Sequence, residues 1–183
     1  MPIANYKQLV AEYESHRKEI KIYFAHLPEL IKKGFPYEVP LAYAFSRVER
    51  AHRRTLYCGI VKKFSANSDL TDDVTRHLYL KRDEFLELFR SVFGVDLDTV
   101  ILTHLQDAER IRDKGVHGKD PTDAEMREAL KEVLEYSTQF DDFVFRIAGF
   151  RPFGDLRGFK GRAENMDKET TRLILKGLGF RLQ

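Results

Sequence analysis

Apolar residues recur at three- and four-residue steps along most of the chain. Between Asn5 and Lys33 they are Tyr6, Leu9, Val10, Tyr13, Ile20, Phe24, Leu27, Leu30 and Ile31, the spacing of one buried helical face. Pro28 lacks an amide donor and is expected to kink or split that helix. Gly34 suits its C-terminal cap, and 35–39 reads as a loop. Pro40 fits the first turn of a second helix running to about Phe64, and the polar run from Ser65 to Asp69 is a loop. A third helix is expected from Thr71, where Asp72 and Asp73 suit the positive end of the helix dipole, to Gly94. A fourth covers about Asp98 to Arg112. The fifth has two overlapping start signals, Asp120 before Pro121 and a Thr122–Glu125 capping box, and continues to Ala148 ahead of Gly149. Beyond it, Gly149, Gly154, Gly158 and Gly161 interrupt any long helix, and a short last helix spans about Asp167 to Lys176.

No alternating run reads as a strand. The predicted class is all-α: an antiparallel up-and-down bundle of about five long helices plus a short C-terminal helix. Residues 1–148 are assigned to the bundle, with the helix over 1–33 either part of it or an extension. Residues 149–183 form a basic tail containing Gly and Phe, whose short helix packs on the bundle.

A length of 183 residues with 43% apolar side chains is enough for a real core and too apolar for a disordered chain. No run of 18 apolar residues and no charged-then-apolar start is visible, so neither a transmembrane helix nor a secretory signal is expected, and the location is read as cytoplasmic. The single cysteine, Cys58, excludes an internal disulfide and Cys-based zinc sites. It lies among Leu56, Tyr57, Ile60 and Val61 and reads as a small buried apolar residue. His16, His26, His52, His77 and His104 show no metal-ligand spacing with one another, so they are read as structural, with no metal and no cofactor expected.

The net charge of +2 changes meaning when it is split. Residues 151–183 hold 8 Lys+Arg against 4 Asp+Glu, while residues 1–150 hold 23 against 25. Positive charge therefore gathers in the tail and on one turn of the second helix, where Arg47, Arg50 and Arg54 share a face. Arg151, Arg157, Lys160 and Arg162 in the tail are interleaved with Phe153 and Phe159, a composition that can hold a phosphate backbone and stack a base. Plainer roles stand beside these: a solvated, ion-paired helix face, and two Phe that pin a loop.

The segment between the fourth and fifth helices reads Arg112, Asp113, Lys114, Gly115, Val116, His117, Gly118. A guanidinium binds phosphate bidentately and stays charged, and an imidazole passes a proton near neutral pH. Such a pair needs no metal when the nucleophile is the 2′-hydroxyl beside the scissile phosphate, which confines the chemistry to RNA. A loose Arg-to-His spacing also occurs at Arg47 and His52. The strict form, with Asn, Asp or His straight after the Arg and His at the sixth position, is met by Arg112 to His117 and expected by chance only about 0.07 times in this composition.

This motif, followed by Gly and set just before the last long helix, resembles the hallmark of the HEPN superfamily of all-helical nucleic-acid-processing domains. The resemblance covers about residues 40–148 in architecture and seven residues in motif. It implies a metal-independent endoribonuclease, a toxin or anti-phage defence effector, with Arg112 and His117 catalytic and Asp113 supporting. It also implies an active site built across a homodimer, RNA as partner, and an antitoxin or regulatory protein encoded elsewhere. Lys114 and Lys119 join Arg47, Arg50, Arg54, Arg151, Arg157, Lys160 and Arg162 as expected RNA contacts. Two positions depart from the pattern. Gly115 costs about 1 kcal/mol against Ala in a helix interior, and Lys119 stands where one toxin subfamily carries the Tyr that its antitoxin modifies. The alternative class is a non-catalytic helical module that binds nucleotide, RNA or a partner protein. In that reading Arg112 and His117 either hold a phosphate or are a helix-end arginine and a surface histidine.

Overall fold

A computed structural model describes residues 3–116, 120–156 and 166–182, the side chains of 115 and 116 excepted. The described residues are all-helical: α1 (Tyr6–Ser15), α2 (Lys18–Tyr23), α3 (Leu27–Lys32), α4 (Glu38–Phe64), α5 (Ser68–Arg76), α6 (Arg82–Phe93), α7 (Thr99–Val116), α8 (Asp123–Ala148) and α9 (Lys168–Gly177). None of these helices is long and apolar enough to cross a membrane.

Local chemistry sets most of the boundaries. The Asn5 side chain accepts from the Lys7 and Gln8 amides and opens α1, Asn67 does the same for α5, and Asp167 for α9. Thr122 and Glu125 cap α8 reciprocally, amide to carboxylate at 2.9 Å and amide to hydroxyl at 3.3 Å. Gly94 closes α6 in the left-handed region, at φ 75°.

Two of the long helices expected from the periodicity are broken. The first splits at His16–Arg17, where both residues are extended, and again at Phe24–His26, so Pro28 falls in the first turn of α3, where its missing donor is harmless. The third splits at 77–81, and its front half begins earlier than expected, at Ser68, because Asn67 supplies a cap within the polar run. The fourth helix runs beyond Arg112, through Gly115, to Val116.

The chain divides into two compact units, 1–48 with 98–143 and 49–97 with 144–183, and both α4 and α8 contribute to each. Unit 1 buries Leu9, Ile20, Phe24, Leu27, Leu105, Leu130 and Phe140, with α1 packed on α3. Arg17 ties the α1–α2 break to α8 through Asp142 at 2.8 Å and Asp141 at 3.0 Å, the latter with no solvent exposure. Unit 2 is built on aromatic rings: Phe85, Phe89, Phe93 and Phe150 follow one another at 4.6 to 6.4 Å, and His52 stacks on Phe85 at 3.9 Å. Gly59 lets α4 approach this row, since a Cβ there would lie 2.4 Å from the Phe93 ring. In the tail, Phe153 is buried and α9 packs on α5, with the Asn67 amide donating to the Thr171 hydroxyl at 2.9 Å.

Candidate functional site

The last turns of α7 carry Arg112, Asp113 and Lys114. The Arg112 guanidinium lies 4.3 Å from the centre of the Phe45 ring on α4, and its Nε donates to the Asp113 carboxylate at 3.0 Å. A cation over a ring face is held without losing its donors, and the terminal amino groups of Arg112 make no hydrogen bond among the described residues. The side chain remains 38% exposed. Lys114 reaches across to Glu125 in the first turn of α8. That hydrogen bond, then those from the Thr122 amide and hydroxyl, hold the Glu125 carboxyl down to about 2. The α7–α8 connection is thus bracketed by an ion pair, and Lys114 is engaged within the protein. His117 and Lys119 lie outside the described residues, as do Arg157, Lys160 and Arg162 in the tail.

The three arginines expected to share one face of α4 have different surroundings. Arg47 donates from Nε and Nη2 to the Tyr23 carbonyl at 2.9 and 2.6 Å and lies 4.0 Å over the Tyr23 ring, which docks α2 on α4 within unit 1. Arg50 and Arg54 instead line a cleft of about 680 Å³ in unit 2, together with Arg53, Tyr57, Asp72, Thr75, Arg76, Asp155 and Leu156. Arg54 is positioned by the Gly154 carbonyl at 2.8 Å, Arg53 by the Leu78 carbonyl at 3.3 Å, and Arg76 pairs with Asp72. Four guanidinium groups against two carboxylates leave the cleft positive. The Tyr57 hydroxyl is buried with no hydrogen-bond partner among the described residues. Burial, with Cys58, Asp72 and Asp69 adding, pushes that phenol up to about 12, so it stays a neutral donor. Arg151 lies over the Phe145 ring at 4.3 Å.

Arg53, Tyr57 and Arg76 were not among the expected contacts. Arg53 and Tyr57 are one turn apart on the same basic stretch, a signal present in the sequence. Arg76 comes to the cleft from α5, a juxtaposition that no local pattern announces. Of the residues read as structural, Cys58 is fully buried with its thiol pushed up to about 12, and His104 is held between Glu132 and Gln139 on α8. Comparisons of the chain with protein-family models, curated proteins and solved structures find no match.

Proposed function

We propose that this chain is a metal-independent endoribonuclease of the HEPN type, acting on RNA in the cytoplasm as a homodimer, in the manner of a toxin or anti-phage effector. The observation that carries the reading is the strict Arg112–Asp113–His117 motif of the sequence, whose Arg112 and Asp113 stand in the last turns of α7 with the guanidinium steered by Phe45 and Asp113. In the reaction, His117 takes the proton of the 2′-hydroxyl, the 2′-oxygen bonds to phosphorus, and the bond to the 5′-oxygen breaks with that oxygen gaining a proton. The products are a 2′,3′-cyclic phosphate and a 5′-hydroxyl end. Arg112 stabilises the charge that grows on the phosphate oxygens. The test is cleavage of RNA by the purified chain with chelator present, read by end analysis. Arg112→Ala and His117→Ala are each expected to slow it by at least about 10²-fold. Intact RNA, or unchanged cleavage by both variants, overturns the reading.

The arginine-lined cleft of unit 2 favours a second reading, a non-catalytic module that holds a nucleotide or RNA phosphate. Filter binding that shows RNA affinity without turnover, lost in Arg50→Ala/Arg53→Ala, separates it from the enzyme.

A further inference from the structure

His16 ends α1 in an extended conformation that turns its imidazole onto α8. Its side chain is only 5% exposed. Nδ1 lies 2.8 Å from the Thr138 hydroxyl, whereas Nε2 is buried with no hydrogen-bond partner among the described residues. A buried ring nitrogen without a hydrogen-bond partner among the described residues calls for an explanation. Nε2 faces the Glu12 carboxylate at 3.9 Å, too long for a hydrogen bond, and one donor atom each from Glu12, His16 and Glu135 lies within 4.8 Å of the others. Neither glutamate is paired with a Lys or Arg among the described residues. The nearby Arg17 is committed to Asp141 and Asp142. Burial disfavours the charged form of the ring and holds it below its ordinary value.

Two anions and a bare imidazole nitrogen converging on one point are a donor set for a divalent cation. One nitrogen with two oxygens selects the zinc class over calcium or magnesium, which take oxygens almost exclusively. The Thr138 contact at Nδ1 orients the ring, and with Nδ1–H donated to that hydroxyl Nε2 is the ligand atom, as in a metal-bound histidine. Tetrahedral ligands about 2.0–2.2 Å from zinc sit roughly 3.4 Å apart, so the donors close by about 1 Å on binding. Glu12, 26% exposed, has the freedom to make that movement.

We propose that Glu12, His16 and Glu135 bind a zinc-class divalent ion, with water as the fourth ligand, and that the ion clamps the end of α1 to α8. The site owes nothing to Arg112 or His117, and the ribonuclease reading stands or falls separately from it.

The test uses the full chain, stripped with chelator and dialysed, then titrated with Co2+ for tetrahedral ligand-field absorption and with Zn2+ for calorimetry and thermal melting. One equivalent of Zn2+ is expected to bind at micromolar or tighter affinity and to raise the melting temperature. His16→Gln, Glu12→Gln and Glu135→Gln each weaken binding by at least about 10-fold to 100-fold, while His104→Gln, at the neighbouring His–Glu pair, leaves it unchanged. Should His16→Gln fail to fold, the half-buried Glu12→Gln decides the matter. Absence of a one-to-one complex, or binding unaltered in Glu12→Gln and Glu135→Gln, overturns the proposal.

Discussion

The two units carry net charge of opposite sign. Unit 1 carries 13 Lys+Arg against 17 Asp+Glu, a formal −4, and unit 2 carries 18 against 12, a formal +6. In unit 1 four cations tie segments of the chain together: Arg17 to Asp141 and Asp142, Lys114 to Glu125, Arg47 to the Tyr23 carbonyl, Arg127 to the Ile3 carbonyl. In unit 2 tilted aromatic rings pack the core, Lys62 and Lys63 hold main-chain carbonyls, and four arginines line a cleft. The whole-chain value of +2 is the sum of two units of opposite sign. Binding and stability therefore depend on where a charge sits, and substitutions in the two units are expected to read out differently.

The largest effect is expected where unit 1 relies on a buried charge. Arg17→Ala removes the guanidinium from Asp141, whose side chain has no exposure, and a carboxylate deprived of its cation in the interior costs about 3–5 kcal/mol. Arg17 is itself 31% exposed, so about 3 kcal/mol is the expected loss, measured by urea unfolding. A loss below about 1 kcal/mol would place unit 1 with ordinary surface ion pairs.

Unit 2 is expected to fail by packing. Gly59→Ala improves helix propensity by about 1 kcal/mol, but its methyl group would lie 2.4 Å from the Phe93 ring and 2.8 Å from Val92. Overpacking of this kind costs about 1–3 kcal/mol, so the net change is a destabilisation of up to about 2 kcal/mol. A variant more stable than the parent would show that the aromatic row yields to the added methyl group.

These two sites also show what the sequence could announce. Caps are local, and Asp167, the Thr122–Glu125 box and the Gly94 stop stand in the structure where the residue types put them. The motif at Arg112 was legible because seven consecutive residues carry it. The break at His16–Arg17 was not, since it depends on Thr138, Asp141 and Asp142 of α8 waiting to receive the two side chains. The same reason hides Glu135 from any search for ligand spacing around His16, and it hides the separation of Arg47 from Arg50. Three residues on one turn share a face, but which of them a neighbouring carbonyl captures is decided by tertiary packing.

Acid sharpens the contrast. Burial, with Arg53 adding, holds His52 down to about 3, so it is neutral in the fold while the unfolded chain protonates near 6.5. Stability is fully present above pH 6.5 and is lost as pH falls from there toward 3, at up to about 1.4 kcal/mol per pH unit. Burial lowers His16 in unit 1 in the same sense. Glu125, held near 2, contributes stability that is lost as pH falls from about 4.5 toward 2. His52→Phe keeps the stack on Phe85 and removes the titration, so its unfolding free energy between pH 6.5 and 4 is expected to fall less steeply than the parent's. An unchanged slope would assign the acid response to His16 and the carboxylates.

The smallest effect is the most discriminating. Arg50 and Arg47 lie one turn apart on α4, yet Arg50 lines the positive cleft and Arg47 is bound to Tyr23. If unit 2 holds RNA phosphate, Arg50→Ala weakens RNA binding by about 1 kcal/mol, roughly fivefold, and lowers the dependence of log affinity on log salt by about 0.7 for a single-stranded ligand. Arg47→Ala leaves both unchanged and lowers thermal stability instead, because a docking contact between α2 and α4 is gone. The opposite assignment, affinity lost with Arg47 and kept without Arg50, would mean that α4 presents its unit 1 end to RNA. Charge balance would then be no guide to the binding surface, because −4 would be the face that a polyanion prefers.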